Sequence, residues 1–146
     1  MFEIASLITS ILCGLFAGAL LTEAGILVPY WRKMDPTAFL ELHHTMAEPL
    51  FRFFAPLTIA GTISPTLNIG IAILTGESIS ISLWLAVGLS IFILILYFAF
   101  FKSANERFAT TTNAVEASNI LTTWAAWHNV RTILAIIVFI LCVFSL

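Results

Sequence analysis

Apolar residues fill three long stretches of the chain, residues 4–28, 50–74 and 79–101, with short polar segments between them. At about 1.5 Å per helical residue, each is long enough to cross a hydrocarbon core of about 30 Å. A fourth apolar stretch, 132–146, reaches only about 22 Å. To span, it must recruit the preceding "NILTTWAAWHNVR", which predicts a fourth helix over about 120–145. In the first connection, Asp35 followed by Pro36 is a helix start, with an N-cap oxygen and a proline at the first helical position. A short helix is predicted over about 36–48, with a kink or restart at Pro49. The pattern therefore predicts an all-α fold, one four-transmembrane-helix bundle with a short extra helix in the first cytoplasmic connection.

Composition strengthens the membrane reading. Of 146 residues, 60% are hydrophobic and 10% charged, and the mean hydropathy is +1.06, whereas soluble domains carry about 25% charged residues. The expected partner is a lipid bilayer, with no nucleic acid. Glu3 is the only charge ahead of the first apolar run and no basic segment precedes it, so the first span is expected to stay in the protein. Arg32, Lys33, Lys102 and Arg107 flank the first and third connections, while "TGESIS" and the termini carry no basic side chain. Under the positive-inside rule those two connections are cytoplasmic and both termini lie outside, as in a multi-pass protein of a bacterial inner membrane. Cys13 and Cys142 fall in the outward halves of the first and last spans with no CxxC. That counts against thiol oxidase chemistry and favours structural or inert thiols.

The polar residues that need explaining collect at the cytoplasmic side. Glu23 lies inside an apolar helix, where a carboxylate is costly unless paired, protonated or facing a wet cavity. Trp124, Trp127, His128 and Arg131 are spaced i, i+3, i+4, i+7 along one helix face. They either point into the bundle or sit at the headgroups as an aromatic belt. Glu41, His44 and Glu48 share a face of the short helix, and Glu41-x-x-His44 is half of a di-iron pattern. Glu23 and Glu106 could supply the single glutamates, but Ala125 stands where the second motif needs its own. A single non-haem metal on His44, His128 and Glu41 or Glu48 stays open; haem is kept open only by the histidines. His43 reads as a solvated residue, Arg52 as an orientation anchor or site residue, and Glu106 with Arg107 and Lys102 as an alternative interfacial group.

"KSANERFATTTN" followed by "WAAWHNVRT", together with "AGALLTEAGILVPYWRKMDP" in the first span, resembles the anthrone oxygenase-like family of small four-helix membrane proteins. The resemblance covers nearly the whole chain and rests on the order and spacing of short motifs. It implies oxidation of a lipophilic aromatic or quinol-like substrate with molecular oxygen, as in the conversion of anthrones to anthraquinones. Asn105, Glu106, Trp124, Trp127, His128 and Arg131 occupy the motif positions, with His128 where many relatives have Asn. An anthrone methylene is acidic, so a modest base suffices and no cofactor is required. His128 or Glu23 is the expected base, Arg131 the oxyanion partner, Glu106 a further catalytic candidate, and Trp124, Trp127 and Asn105 the substrate-binding set. The competing reading is a non-catalytic small membrane subunit or a small-molecule or metal-binding protein, either as a homo-oligomer or with a partner membrane subunit. A transporter is a weaker third.

Overall fold

The computed structural model describes residues 1–146. Four long helices, α1 (Phe2–Trp31), α2 (Pro36–Thr75), α3 (Ile81–Thr110) and α4 (Ala114–Val143), make an all-α bundle, and all four are long and apolar enough to cross a membrane. Neighbours in sequence are neighbours in space: α1 packs on α2 and α4, and α3 packs on α2 and α4. Short connections force this up-down-up-down order. The outward faces carry large apolar side chains such as Ile4, Leu15, Leu67, Ile95 and Ile133, each more than half exposed, a surface suited to lipid and not to water.

Local chemistry sets the helix ends. Asp35 caps α2, its Oδ1 accepting from the backbone N–H groups of Thr37 (2.9 Å) and Ala38 (3.3 Å). Ser80 caps α3 through the Leu83 N–H, and Asn113 caps α4 through Val115 and Glu116. Each satisfies donors that the first helical turn leaves free. Gly76 ends α2 at φ +72°, a left-handed conformation that glycine adopts without penalty.

One expectation is corrected. The segment 36–48 is helical but is not a separate element, because α2 runs unbroken from Pro36 to Thr75 through Pro49, Pro56 and Pro65. A proline inside a helix frees the carbonyl four residues earlier, and the helix continues where that carbonyl finds a partner or solvent. At Pro49 the freed carbonyl belongs to Thr45, and both residues are exposed. At buried Pro65 it belongs to Gly61, and the Cys13 thiol of α1 donates to it at 3.4 Å.

Gly61 also sets the approach of α1 to α2. A Cβ placed on it would lie 2.6 Å from Cβ of Phe16, with no room for either helix to yield cheaply. Gly61→Ala should therefore lower stability by about 1–3 kcal/mol, measurable as a lower midpoint of thermal unfolding in detergent. Gly70→Ala, which meets open space, should not.

Both α1 and α3 widen in their C-terminal halves into single π-helical turns, Glu23–Leu27 and Tyr97–Phe101. Such bulges commonly mark functional positions, because the extra residue per turn re-aims the side chains around it. The two lie at the same end of the bundle, where most of the unexplained polar residues gather.

Candidate functional site

The π turn of α1 places Glu23 toward the bundle interior, 5% exposed, while α4 brings His128 (0%) and Arg131 (7%) to meet it. His128 and Arg131 therefore do not face the headgroups. Oε2 of Glu23 lies 3.6 Å from Nη2 of Arg131 and 3.6 Å from Nε2 of His128. Arg131 Nη2 donates to Nδ1 of His128 at 2.8 Å. A guanidinium has no acceptor, so Nδ1 carries the lone pair and His128 is neutral. Its Nε2–H donates to the Leu20 carbonyl at 3.2 Å. The Thr132 hydroxyl donates to the His128 carbonyl at 2.8 Å and approaches the Leu20 carbonyl at 3.5 Å. Both ring nitrogens of His128 are thus spent on joining α4 to α1 and on holding Arg131.

Aromatic rings enclose the charged pair. Cζ of Arg131 lies 4.2 Å from the Phe101 ring centroid and 6.0 Å from that of Trp124, within the range of cation–π attraction. Trp124 stacks on His128, centroids 4.8 Å apart and planes at 8°, and Phe101 meets it edge-on at 5.7 Å. Its indole N–H donates to Oδ1 of Asn105 at 3.1 Å. Nε of Arg131 is buried and has no partner.

Above this cluster opens a cavity of about 700 Å³, within the ordinary size of small-molecule sites. Glu23, Trp124 and Arg131 reach it from α1 and α4, and α2 supplies much of its apolar wall through residues such as Phe51, Phe54, Ala55 and Ile59. Tyr97 and Phe108 add to it from α3. The polar residues nearer its mouth are already paired: Glu48 with Arg52 at 2.7 Å, and Glu106 with Lys102 at 4.0 Å.

The sequence-derived candidates divide accordingly. Glu23, His44, Glu48, Asn105, Glu106, Trp124 and Arg131 line the cavity, and Glu41, Trp127 and His128 do not. Trp127 is 40% exposed and packs on Phe100, with centroids 6.0 Å apart. At about 100° per residue, Trp127 and His128 diverge to opposite sides of the Trp124 direction, so the i, i+3, i+4, i+7 stripe is too wide for one narrow site. Trp124 borders the cavity, yet one ring face is covered by His128, so it is not a free stacking platform. Glu106 stays at the exposed mouth, apart from Glu23. Arg107 turns away to Glu116 at 2.7 Å.

A metal set is not assembled. Nowhere do three His, Cys, Asp or Glu side chains come close enough to hold an ion, and His128, the expected ligand from α4, has both nitrogens engaged. Glu41, His44 and Glu48 share a helix face, but no donor from another helix completes them. His128, with both ring nitrogens engaged, has none free to serve as an axial haem ligand.

Sequence reasoning did not single out Leu20, Phe101 or Tyr97. Thr132 carried a signal, standing one turn after His128 and next to Arg131. Phe101 and Tyr97 stand in a π turn, which no residue pattern announces, and Leu20 contributes only its backbone carbonyl. Comparison with protein-family models, with curated proteins and with solved structures gives no match, so the functional reading rests on this geometry and on the motif resemblance.

Proposed function

We propose that this chain is a membrane-embedded oxidoreductase that oxidises a flat, lipophilic carbon acid of the anthrone class with molecular oxygen. The observation that carries the reading is the buried Glu23–Arg131 pair at the base of a mostly apolar cavity. The motif resemblance supports the same chemistry.

In this mechanism the Glu23 carboxylate removes a proton from the methylene carbon of the bound substrate. The resulting carbanion is delocalised onto the ring oxygen as a phenolate, where Arg131, with its unused Nε–H, offsets the developing charge. The electron-rich anion passes one electron to dioxygen, and the radical pair combines at carbon to give a hydroperoxide. Loss of water from it yields the quinone, so one anthrone and one dioxygen give one quinone and one water. Glu23 and Arg131 are the catalytic residues of this scheme. His128 positions Arg131 and is not the base, because its only basic nitrogen already accepts from the guanidinium. Asn105 fixes Trp124, and Glu106 with Lys102 borders the opening. The cycle uses no resident cofactor.

The site end faces the cytoplasm in this reading, following Arg32, Lys33, Lys102 and Arg107, with both termini on the outside of a bacterial inner membrane. The test is oxygen uptake by the purified protein in lipid nanodiscs supplied with a model anthrone. A saturable rate above that of empty discs, consuming one dioxygen per anthrone, is expected. Ala55→Phe, on the α2 wall of the cavity, should cut that rate at least about tenfold and leave thermal unfolding little changed. A rate no higher than that of empty discs defeats the proposal.

A further inference from the structure

About three turns from the site along the same helix pair, the two cysteines of the chain meet. Sγ of Cys13 on α1 lies 3.8 Å from Sγ of Cys142 on α4, although the residues are 129 positions apart, and both are only 1% exposed. Neither takes part in the proposed chemistry. Cys13 is about 15 Å along α1 from Glu23, and Cys142 is about 16 Å along α4 from Arg131. The antiparallel helices therefore bring both pairs into register.

We propose that Cys13 and Cys142 are a disulfide-forming pair that pins α1 to α4, with a lipid-soluble quinone as oxidant. The two thiols lose two protons and two electrons, the sulfur–sulfur bond forms, and the quinone leaves as the quinol. The separation need close by only about 1.8 Å to reach bonding distance, a movement that side-chain rotation and a slight helix shift supply. The oxidant class follows from position. The thiols are shut away from solvent among Cys13, Phe16, Ala17, Val138 and Cys142 of one apolar cluster, so only a reagent that partitions into hydrocarbon can approach. On oxidation Cys13 gives up its bond to the Gly61 carbonyl. The Ser64 hydroxyl, 3.9 Å from the Cys13 sulfur and one turn along α2, takes that acceptor over.

Such a bond would fix the helix pair that holds the Leu20 carbonyl against His128 and Glu23 against Arg131. It would add a covalent cross-link between the first and last helices to the noncovalent contacts at the site.

The experiment treats the reduced full-length protein in nanodiscs with duroquinone, whose ring is fully substituted and cannot arylate a thiol. Intact mass is then recorded, and free thiols are labelled with maleimide after denaturation in SDS. Loss of two hydrogens and of both maleimide sites, in a monomer, is expected for the native protein. Cys13→Ser and Cys142→Ser should each keep their remaining thiol. The double variant Thr9→Cys with Cys13→Ser, which moves the thiol one turn along α1, should form no bond. Native protein that keeps both thiols after quinone treatment, with its helical circular dichroism unchanged, overturns the proposal. A disulfide between two chains, or one formed equally well by the Thr9→Cys variant, overturns it as well.

Discussion

Replacing Arg131 with leucine should destabilise the bundle by about 3–5 kcal/mol, far more than the same change at exposed Lys33. The cost comes less from a lost attraction than from what is left behind. Glu23 is 5% exposed, and Arg131 is the one cation that approaches it. Without Arg131 the carboxylate must either remain charged in an apolar interior or take up a proton. His128 Nδ1 also loses its donor, and an unsatisfied buried acceptor adds about 1–3 kcal/mol. The double variant Glu23→Leu with Arg131→Leu should recover much of the loss, since a buried ion pair replaced by apolar side chains is often neutral in cost. Denaturation in mixed SDS and dodecylmaltoside micelles measures both. Equal tolerance of Arg131→Leu and Lys33→Leu would mean that the pair is not buried.

Removing the proposed base should act on rate and leave the fold in place. Glu23→Gln keeps the size of the side chain and leaves an amide oxygen for Arg131, but it cannot take a proton from carbon. A positioned general base contributes about 10²–10⁴-fold, so oxygen uptake with a model anthrone should fall by that factor. Substrate binding, read from quenching of tryptophan fluorescence, should change little. The change would then sit in kcat and not in KM, as expected for a group that matters in the transition state. His128→Asn distinguishes the two roles assigned here: an asparagine still offers an acceptor and a donor, so it should retain far more activity than Glu23→Gln. Were His128 the base, the order would reverse.

Much of this architecture is legible in the sequence because membrane burial leaves a strong residue pattern. The four long apolar helices follow from hydropathy and length, and the start of α2 from Asp35 and Pro36. Glu23, His128 and Arg131 draw attention because charge within an apolar helix demands a partner. What the pattern misses depends on three-dimensional detail. Pro49 looks like a break, yet its freed carbonyl faces solvent and α2 continues through it. Trp127 shares the spacing of the site residues but falls about 100° from His128 around the helix. The π turns at Glu23–Leu27 and Tyr97–Phe101 contribute the buried Glu23 and Phe101, and no local residue preference announces them. His128 looks like a base in sequence, while the structure shows its Nδ1 accepting from Arg131. The proximity of Cys13 and Cys142 is equally invisible, since it arises from the pairing of the first and last helices.

The central claim is that the cavity above Glu23 and Arg131 receives the flat substrate. A structure of the protein in nanodiscs with the anthraquinone product bound tests it most directly. The expected result is a tricyclic ligand between the α2 wall at Phe54 and Ala55 and the side of α3 at Tyr97, with one ring oxygen within hydrogen-bond reach of Arg131. A ligand seated on the lipid-facing surface with the cavity free of it, or one whose oxygens lie away from Arg131, would contradict the account.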